Sequence, residues 1–390
     1  MLLKDNKLIN ILVVISALII VFNFAFFVIE RSPFQYSDWL INYQGGFIRR
    51  GLPGEIFYQL YKLTNIPLDL IVFISVSLLY VFFAVYFIKI ISKIKLNFLN
   101  LLIIFSPLSF LYPVMEQKVS GRKDIIFLFL AISLTMFLEK IKFEHQKYII
   151  IFFVLISAFS HTGFVVFTPI FFLLFIITNY KNSLGKIFKE LIIISFFSII
   201  PIILILFNTS IDNQSISKIC DSIGSFLPNC GQDDYIETVN WSLKYATELN
   251  DKLWIKDNYA SFYTLIFLFA NAPLIYAFYI SKLNKKYSFI LNPIFIFIFI
   301  NLMSFPIYFV GVDYGRYMHI TYLSLVIFYF KALSTKFFVI SEKFSNIKKP
   351  IALLIIFLFG FTWTVPHCCN TNLKFIYQKP ISNIIDSNKN

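Results

Sequence analysis

The sequence predicts an all-α, polytopic membrane helical bundle of about 11 transmembrane helices, within a range of roughly 9 to 12, with one larger outer loop. The chain is 58% hydrophobic and only 14% charged, which is too apolar and too sparsely charged for a soluble domain. Its apolar residues also recur in long runs, and a helix of about 20 such residues crosses a hydrocarbon core of roughly 30 Å. The chain therefore encodes an integral membrane protein.

The candidate spans follow directly from these runs. They lie at residues 8–28, 68–91, 97–115, 124–139, 148–161, 163–179, 191–208, 260–280, 289–310, 319–333 and 350–365. The fifth and sixth are short and are separated only by His161, Thr162 and Gly163. These two could therefore form a re-entrant hairpin instead of two separate spans.

The distribution of lysine predicts the orientation. With the amino terminus inside, most lysines fall in inner loops, as expected for cytoplasmic connections; the inner side then carries a net +14 and the outer side −1, which together give the net charge of +13. The excess of basic over acidic residues then reflects anchoring in the membrane and requires no nucleic-acid partner. We expect a multi-pass membrane protein, in contact with membrane lipids, with its amino terminus on the cytoplasmic side and its carboxyl terminus on the outer side.

Arginine has the opposite distribution. All five arginines fall in outer connections, namely Arg31, Arg49, Arg50, Arg122 and Arg316. A planar, permanently charged guanidinium suits phosphate and carboxylate oxygens better than an ammonium group does. The outer loops are therefore expected to bind an anionic headgroup.

The chain is expected to form a single membrane domain, residues 1–390, with two outer segments long enough to fold. The first, residues 30–67, predicts a loop followed by an interfacial helix beginning near Pro53, with Ile56, Phe57, Leu60 and Tyr61 on one face. The second, residues 209–259, is polar and predicts a helix around residues 235–249. It could act as a substrate lid or serve only as a connection.

The cysteines all lie on the outer side, where an oxidising compartment would permit disulfides. A local bridge between Cys220 and Cys230 and two cross-bridges from them to Cys368 and Cys369 are both allowed by the sequence. His367 precedes the last two cysteines, but one histidine beside two adjacent cysteines lacks usable ligand spacing. We therefore expect no metal site, and no motif indicates a cofactor.

Residues 37–55 form the densest polar segment. Its glycines, including Gly45, Gly46 and Gly51, permit close backbone approach, so that amide groups could converge with Arg49 and Arg50 on one anion. This pattern predicts a pyrophosphate cradle. The alternative is a tight turn whose arginines rest on lipid phosphates.

Two further outer turns combine both signs of charge. In the first, Asp124 is placed to cap the fourth span, whereas Arg122 has no helix-end reason to be arginine. In the second, Asp313 and Arg316 could face one cavity or simply form a salt bridge with each other. His161 could be a structural hydrogen-bonding group or a base, since ionisable groups near the membrane are often functional.

These segments together resemble the Wzy-type O-antigen polymerases of surface-polysaccharide synthesis. The resemblance rests on the general layout and on four short motifs, Asp38-Trp39, Gly46-Phe47-Ile48-Arg49-Arg50-Gly51, Gly121-Arg122-Lys123-Asp124 and Asp313-Tyr314-Gly315-Arg316. It implies polymerisation of polyprenyl-diphosphate-linked oligosaccharide repeats on the periplasmic face, with a lipid diphosphate as leaving group. A chain-length regulator protein is a candidate partner.

The resemblance also suggests roles for individual residues. Arginines would stabilise the negative charge of the departing diphosphate, and a nearby base would activate the acceptor hydroxyl. The predicted substrate-binding residues are Arg49, Arg50, Arg122, Arg316, Trp39 and Glu55, and the base candidates are Asp38, His161 and Asp313.

Two other functions fit the same pattern. A membrane glycosyltransferase of the GT-C kind would use a polyprenyl-monophosphate sugar, and Asp38 in the first outer loop would then be the key residue. A lipid-linked oligosaccharide flippase would place cations along a mid-membrane cavity, whereas this chain places its arginines in outer connections.

Overall fold

The computed structural model describes residues 7–207, 212–232, 234–241, 243–256, 258–283, 292–340, 349–368 and 374–375. These ranges are predominantly helical, as predicted. The helices are α1 (Lys7–Ile29), α2 (Ser37–Leu40), α3 (Leu52–Thr64), α4 (Leu68–Ile91), α5 (Phe98–Ile104), α6 (Tyr112–Met115), α7 (Asp124–Phe137), α8 (Phe143–Ser160), α9 (Pro169–Asn179), α10 (Leu184–Phe207), α11 (Asn213–Ile223), α12 (Leu243–Lys256), α13 (Tyr259–Ile280), α14 (Pro293–Ser304), α15 (Ile307–Val310), α16 (Tyr314–Ser334) and α17 (Lys349–Phe361).

The strands are very short. β1 (Ser281–Leu283) pairs antiparallel with β2 (Phe338–Ile340), and β3 (Trp363–Thr364) pairs antiparallel with β4 (Lys374–Phe375). The pair of β1 and β2 joins the segments that follow α13 and α16, and the helices form the architecture.

Seven helical segments in the described residues are long and apolar enough to cross a membrane. They are Lys7–Ile29, Leu68–Ile91, Phe143–Ser160, Thr162–Asn179, Leu184–Leu204, Tyr259–Ile280 and Pro293–Val310. The protein is thus a multi-pass helical bundle, but the predicted count of about eleven spans is not confirmed.

One predicted span, residues 97–115, is not a continuous helix. Helix α5 ends at Ile104, and α6 begins only at Tyr112. Pro107 and Pro113 lie in or next to this break, and a proline cannot donate the backbone hydrogen bond that a continuing helix requires. The Ser106 hydroxyl instead donates to the carbonyl of Ala270, at 3.0 Å, so the broken segment is held by the neighbouring α13.

Helix α16 is the buried axis of the bundle. Every residue from Tyr314 to Ala332 is buried, against α7, α9, α13 and α14. Arg316 near its first turn and Lys331 near its last turn are both paired with carboxylates. Since a helix rises about 1.5 Å per residue, these two charged layers lie about 22 Å apart, and an apolar section of the bundle separates them.

The first predicted outer segment contains the expected helix. Helix α3 begins at Leu52 with a proline in its first turn and ends at Thr64, followed by the C-cap residue Asn65 in a left-handed conformation with φ of 56°. Phe57 is buried and Ile56 is exposed, so the predicted apolar face is split between the bundle and its surroundings. A Cβ at Gly54 would lie 2.0 Å from the carbonyl oxygen of Ile41, which requires glycine where α3 crosses the preceding loop.

The second outer segment folds over the first. Cys220 and Cys230 form a disulfide, which is the local one of the pairings that the sequence allowed; Cys369 lies outside the described residues. The predicted helix around residues 235–249 begins later, as α12. The backbone amide of Tyr235 donates to the carbonyl of Pro33, at 2.8 Å, and Asn42 donates to the Ser222 hydroxyl, at 2.9 Å. The two segments therefore form one joint surface.

Candidate anion-binding site at the arginine end

We call the end of the bundle where α1 and α8 end and α4, α7 and α16 begin the arginine end. Four of the five arginines converge there, namely Arg49, Arg50, Arg122 and Arg316. Arg31 lies apart and donates to the carbonyl of Ser225, at 2.6 Å. The predicted clustering of guanidinium groups thus applies to four of the five residues.

Arg316 is the centre of a buried ion-pair triad. Its Nε and Nη2 atoms donate to the two carboxylate oxygens of Asp124, at 3.0 Å and 2.7 Å, and its Nη1 donates to Asp313. Arg316 is 1% exposed and Asp124 is 3% exposed. Burial alone would raise the pKa of Asp313, but Arg316 and Arg122 lower it below its ordinary value.

This triad corrects one expectation and favours another. The prediction that Asp124 caps α7 is wrong, because Lys123 occupies the cap position, the cap makes no side-chain hydrogen bond, and the Asp124 carboxylate binds Arg316. Asp313 and Arg316 form the salt bridge that the sequence allowed as an alternative. Two carboxylates therefore neutralise Arg316, and this guanidinium is already occupied.

Asp38 and Lys123 form a second buried ion pair. The Lys123 Nζ lies 3.2 Å from an oxygen of Asp38, and both side chains are fully buried. Neither carboxylate oxygen of Asp38 has a hydrogen-bond partner among the described residues. Burial lowers the pKa of Lys123 to about 8, with Arg50 adding to the effect and Asp38 opposing it.

Lys123 also fixes the backbone of the first segment, because its Nζ donates to the carbonyl of Arg50, at 2.9 Å. Arg50 has a φ of +77°, a left-handed conformation that is uncommon for a residue with a side chain and is found mainly where surrounding structure enforces it. The bond from Lys123 supplies part of that constraint. The guanidinium of Arg50 is thereby directed into the arginine end.

Arg50 and Arg122 carry positive charge that no carboxylate neutralises. Like Arg49, neither has a carboxylate within salt-bridge distance among the residues that the structure describes, and the Nη1 of Arg122 donates only to the carbonyl of Phe34, at 3.2 Å. Their guanidinium carbons lie 5.2 Å and 5.1 Å from the centre of the Tyr235 ring. Nε and Nη1 of Arg50 and Nε of Arg122 are buried and have no hydrogen-bond partner in the described chain.

Arg49 is held by backbone carbonyls of the large outer segment. Its Nη2 lies 2.8 Å from the oxygen of Trp241 and 3.3 Å from those of Thr238 and Val239. Burial, together with Arg50, lowers the pKa of Arg49 to about 10, so it stays charged at neutral pH. Arg49 therefore adds positive charge to the site while binding the two outer segments together.

His161 adds a neutral donor to this positive site. Its Nδ1 accepts a hydrogen bond from the backbone amide of Gly163, at 3.1 Å, which places the proton of the neutral ring on Nε2. Burial, followed by Arg50 and Arg316, holds the pKa of His161 well below its ordinary value. Nε2 is buried without a partner in the described residues. The geometry thus gives His161 an N–H donor, whereas the sequence left a structural hydrogen-bonding group and a base as alternatives.

The lowered pKa of His161 predicts a pH-dependent stability. Below the ordinary pKa of 6.5, the unfolded chain binds a proton at this residue that the folded chain does not bind, so stability is lost as the pH falls. We expect His161→Phe to remove this contribution. Thermal unfolding in detergent, measured from about pH 7.5 to about pH 5, should therefore show a shallower loss in the variant, and identical slopes would contradict this assignment.

Trp39 and Glu55 are occupied by the protein itself. The Trp39 ring is 1% exposed, and its Nε1 donates to the carbonyl of Gly121, at 2.6 Å. Glu55 accepts from the amide of Tyr43, at 2.8 Å, and from the side chains of Gln44 and Gln59. These contacts give Trp39 a packing role and Glu55 the role of closing the glycine-rich loop, with no free surface for a sugar on Trp39.

Sequence reasoning missed two residues of the site. Tyr235 was seen only as part of a predicted helix, and Lys123 only as a charge in a short turn. Neither has a local signal of its role, since the partners of Tyr235 lie in other segments. The partner of Lys123, Asp38, likewise comes from another segment.

A further group of ligand-type residues lies beside the triad. Ligand atoms of Asp313, His367 and Cys368 lie within 4.8 Å of one another, an arrangement that the sequence spacing around His367 did not indicate because Asp313 comes from another segment. Asp313 already binds Arg316, and Arg122 is close enough to act on it electrostatically. These positive charges oppose the binding of a cation here.

Comparison of the chain with protein-family models, with curated proteins and with solved structures finds no significant match. The arrangement of residues at the arginine end is therefore the basis for assigning a function.

Proposed function

We propose that the protein binds the phosphate groups of a lipid-linked sugar at the arginine end and transfers the sugar from them. In its specific form, the proposal is polymerisation of polyprenyl-diphosphate-linked oligosaccharide repeats, as in Wzy-type polymerases, at the periplasmic face of a bacterial inner membrane. The observation that supports it most directly is the set of buried, unpartnered N–H groups on Arg50, Arg122 and His161.

The balance of charge supports an anionic ligand. Two cations of the site are neutralised within the protein. Lys123 pairs with Asp38, and Arg316 pairs with Asp124 and Asp313. Arg50 and Arg122 have no such partner in the described chain, and leaving charged donors buried and unpaired is costly. A phosphate or diphosphate would supply the missing acceptors, and guanidinium groups bind such oxygens well.

The same donors suit the proposed chemistry. When the bond between the sugar and the lipid diphosphate breaks, negative charge grows on the diphosphate. Prearranged donors stabilise that charge without needing to reorganise. Arg50, Arg122 and the Nε2–H of His161 would contact the diphosphate, while Arg49 and Arg316 would act through the charge and structure of the site.

Asp38 is the remaining candidate for the base that takes the proton of the acceptor hydroxyl. Asp313 is a weaker base than usual because nearby arginines lower its pKa, and His161 offers a donor. Apart from the ion pair with Lys123, neither oxygen of Asp38 has a hydrogen-bond partner in the described residues. Lys123 in turn bonds to the backbone of Arg50. Asp38 is therefore a carboxylate next to the unpaired cations.

The proposal is tested with purified protein in lipid nanodiscs. Supplied with a polyprenyl-diphosphate-linked oligosaccharide, the protein is expected to form a ladder of lengthened products and to release lipid diphosphate. Supplied with a polyprenyl-monophosphate sugar and the same acceptor, it is expected to form none. The absence of any product and of any binding of the diphosphate lipid would refute the proposal.

One observation favours a second function, that of a GT-C-type glycosyltransferase. Asp38 lies on the short helix α2 of the first outer segment, where that class of enzyme is expected to carry a catalytic acid. The nanodisc experiment separates the two functions, because this alternative predicts products from the monophosphate donor alone. A flippase lacks comparable support, since it needs no carboxylate beside the unpaired cations.

A further inference from the structure

Tyr235 is presented to the arginine end by a firmly held turn of the large outer segment. Its backbone amide donates to the carbonyl of Pro33, at 2.8 Å, and to the Ser37 hydroxyl, at 3.1 Å. The buried carboxylate of Asp234 accepts from the amides of Gly231 and Glu237, each at 3.0 Å. Because the turn is fixed on both sides, the position of the Tyr235 ring is determined by the fold.

Two guanidinium groups share this ring. The guanidinium carbons of Arg50 and Arg122 lie 5.2 Å and 5.1 Å from its centre, within the distance at which a cation is attracted to the electron-rich face of an aromatic ring. The two arginines come from different segments and repel each other. A shared aromatic partner offsets part of that repulsion and fixes both groups around one ring.

The shared ring leaves donors of both arginines available, although Nη1 of Arg122 already donates to the carbonyl of Phe34, at 3.2 Å. A guanidinium carries its N–H groups around the edge of a plane, so contact between that plane and a ring does not use them. The unpartnered atoms are Nε and Nη1 of Arg50 and Nε of Arg122. An aromatic partner thus holds the cations without neutralising them, as a carboxylate would.

We propose that Tyr235 is a positioning residue of the anion site, whose ring holds Arg50 and Arg122 so that their N–H edges bind one phosphate group. This inference rests on the proposed function. The attraction arises from the ring and not from its hydroxyl, so phenylalanine should substitute for Tyr235. Tryptophan should do so as well, provided that it fits.

The test measures binding of geranylgeranyl diphosphate to the full-length protein in nanodiscs. Wild type and Tyr235→Phe are expected to bind with similar dissociation constants. Tyr235→Leu is expected to bind about tenfold more weakly, a change of about 1.4 kcal/mol. Tyr245→Leu, a change at an exposed tyrosine of the same segment, is the matched control and should bind like wild type.

Each outcome has a distinct meaning. If wild type does not bind the probe, the proposed function fails. If wild type and Tyr235→Leu bind equally, or if Tyr235→Phe binds as weakly as Tyr235→Leu, the role of the ring is overturned. Folding of each variant is verified by its thermal unfolding and by the presence of the disulfide between Cys220 and Cys230. If Tyr235→Leu does not fold, Tyr235→Met replaces it.

Discussion

Arg316→Ala is expected to destabilise the folded protein by about 3–5 kcal/mol, the usual effect of removing one partner from a buried ion pair. The change leaves Asp124 and Asp313 without the guanidinium that both of them bind. Asp124 is 3% exposed, so water cannot replace the lost partner. We expect a much lower unfolding temperature in detergent and a lower yield of membrane-inserted protein.

Arg31→Ala is the matched control for this substitution. Arg31 makes one exposed bond to a backbone carbonyl, so its removal is expected to change stability by less than about 0.5 kcal/mol. If Arg316→Ala unfolded at the wild-type temperature but no longer bound diphosphate, Arg316 would be a substrate contact and the structural role assigned to it would be wrong.

Arg50→Ala is expected to have the opposite profile, with binding lost and folding retained. Its unpartnered Nε and Nη1 offer two charge-assisted hydrogen bonds to a phosphate, each worth about 1.5–3 kcal/mol. We therefore expect affinity for a polyprenyl diphosphate to fall by about 100-fold or more and chain elongation to stop. Stability should be unchanged or higher, because Arg50 raises the electrostatic cost of charging Arg49, Lys123 and His161.

Arg50→Lys gives a sharper version of the same experiment. Lysine keeps the charge but lacks the planar set of donors, so this variant is expected to bind with intermediate affinity. Binding is measured in nanodiscs and chain length by gel electrophoresis of the products. Normal chain lengths in Arg50→Ala would remove Arg50 from the site.

The sequence predicted features that depend on local composition. The long apolar runs located α1 and α4 closely, and a proline near the start of α3 located that helix. The position of arginines relative to those runs indicated that guanidinium groups would gather at one end. Each of these predictions needed only neighbouring residues, which is why the sequence was sufficient.

The details of the site depend on contacts between distant segments, which periodicity does not specify. The partner of Asp124 is one example, since a helix-capping role and a pairing with Arg316 are equally consistent with its local sequence. Tyr235 is another, because a tyrosine in a polar loop has no local mark of its two guanidinium partners. The tautomer of His161 likewise depends on the amide of Gly163, a backbone geometry that residue identities do not determine.

The pairing of Asp124 with Arg316 spans 192 positions of the chain, and this has a consequence for biosynthesis. Asp124 is made long before Arg316, so α7 is synthesised before the guanidinium that binds its first carboxylate exists. The pair can form only after the start of α16 has been made. A chain truncated before residue 316 therefore lacks the contact that joins the first turn of α7 to the first turn of α16.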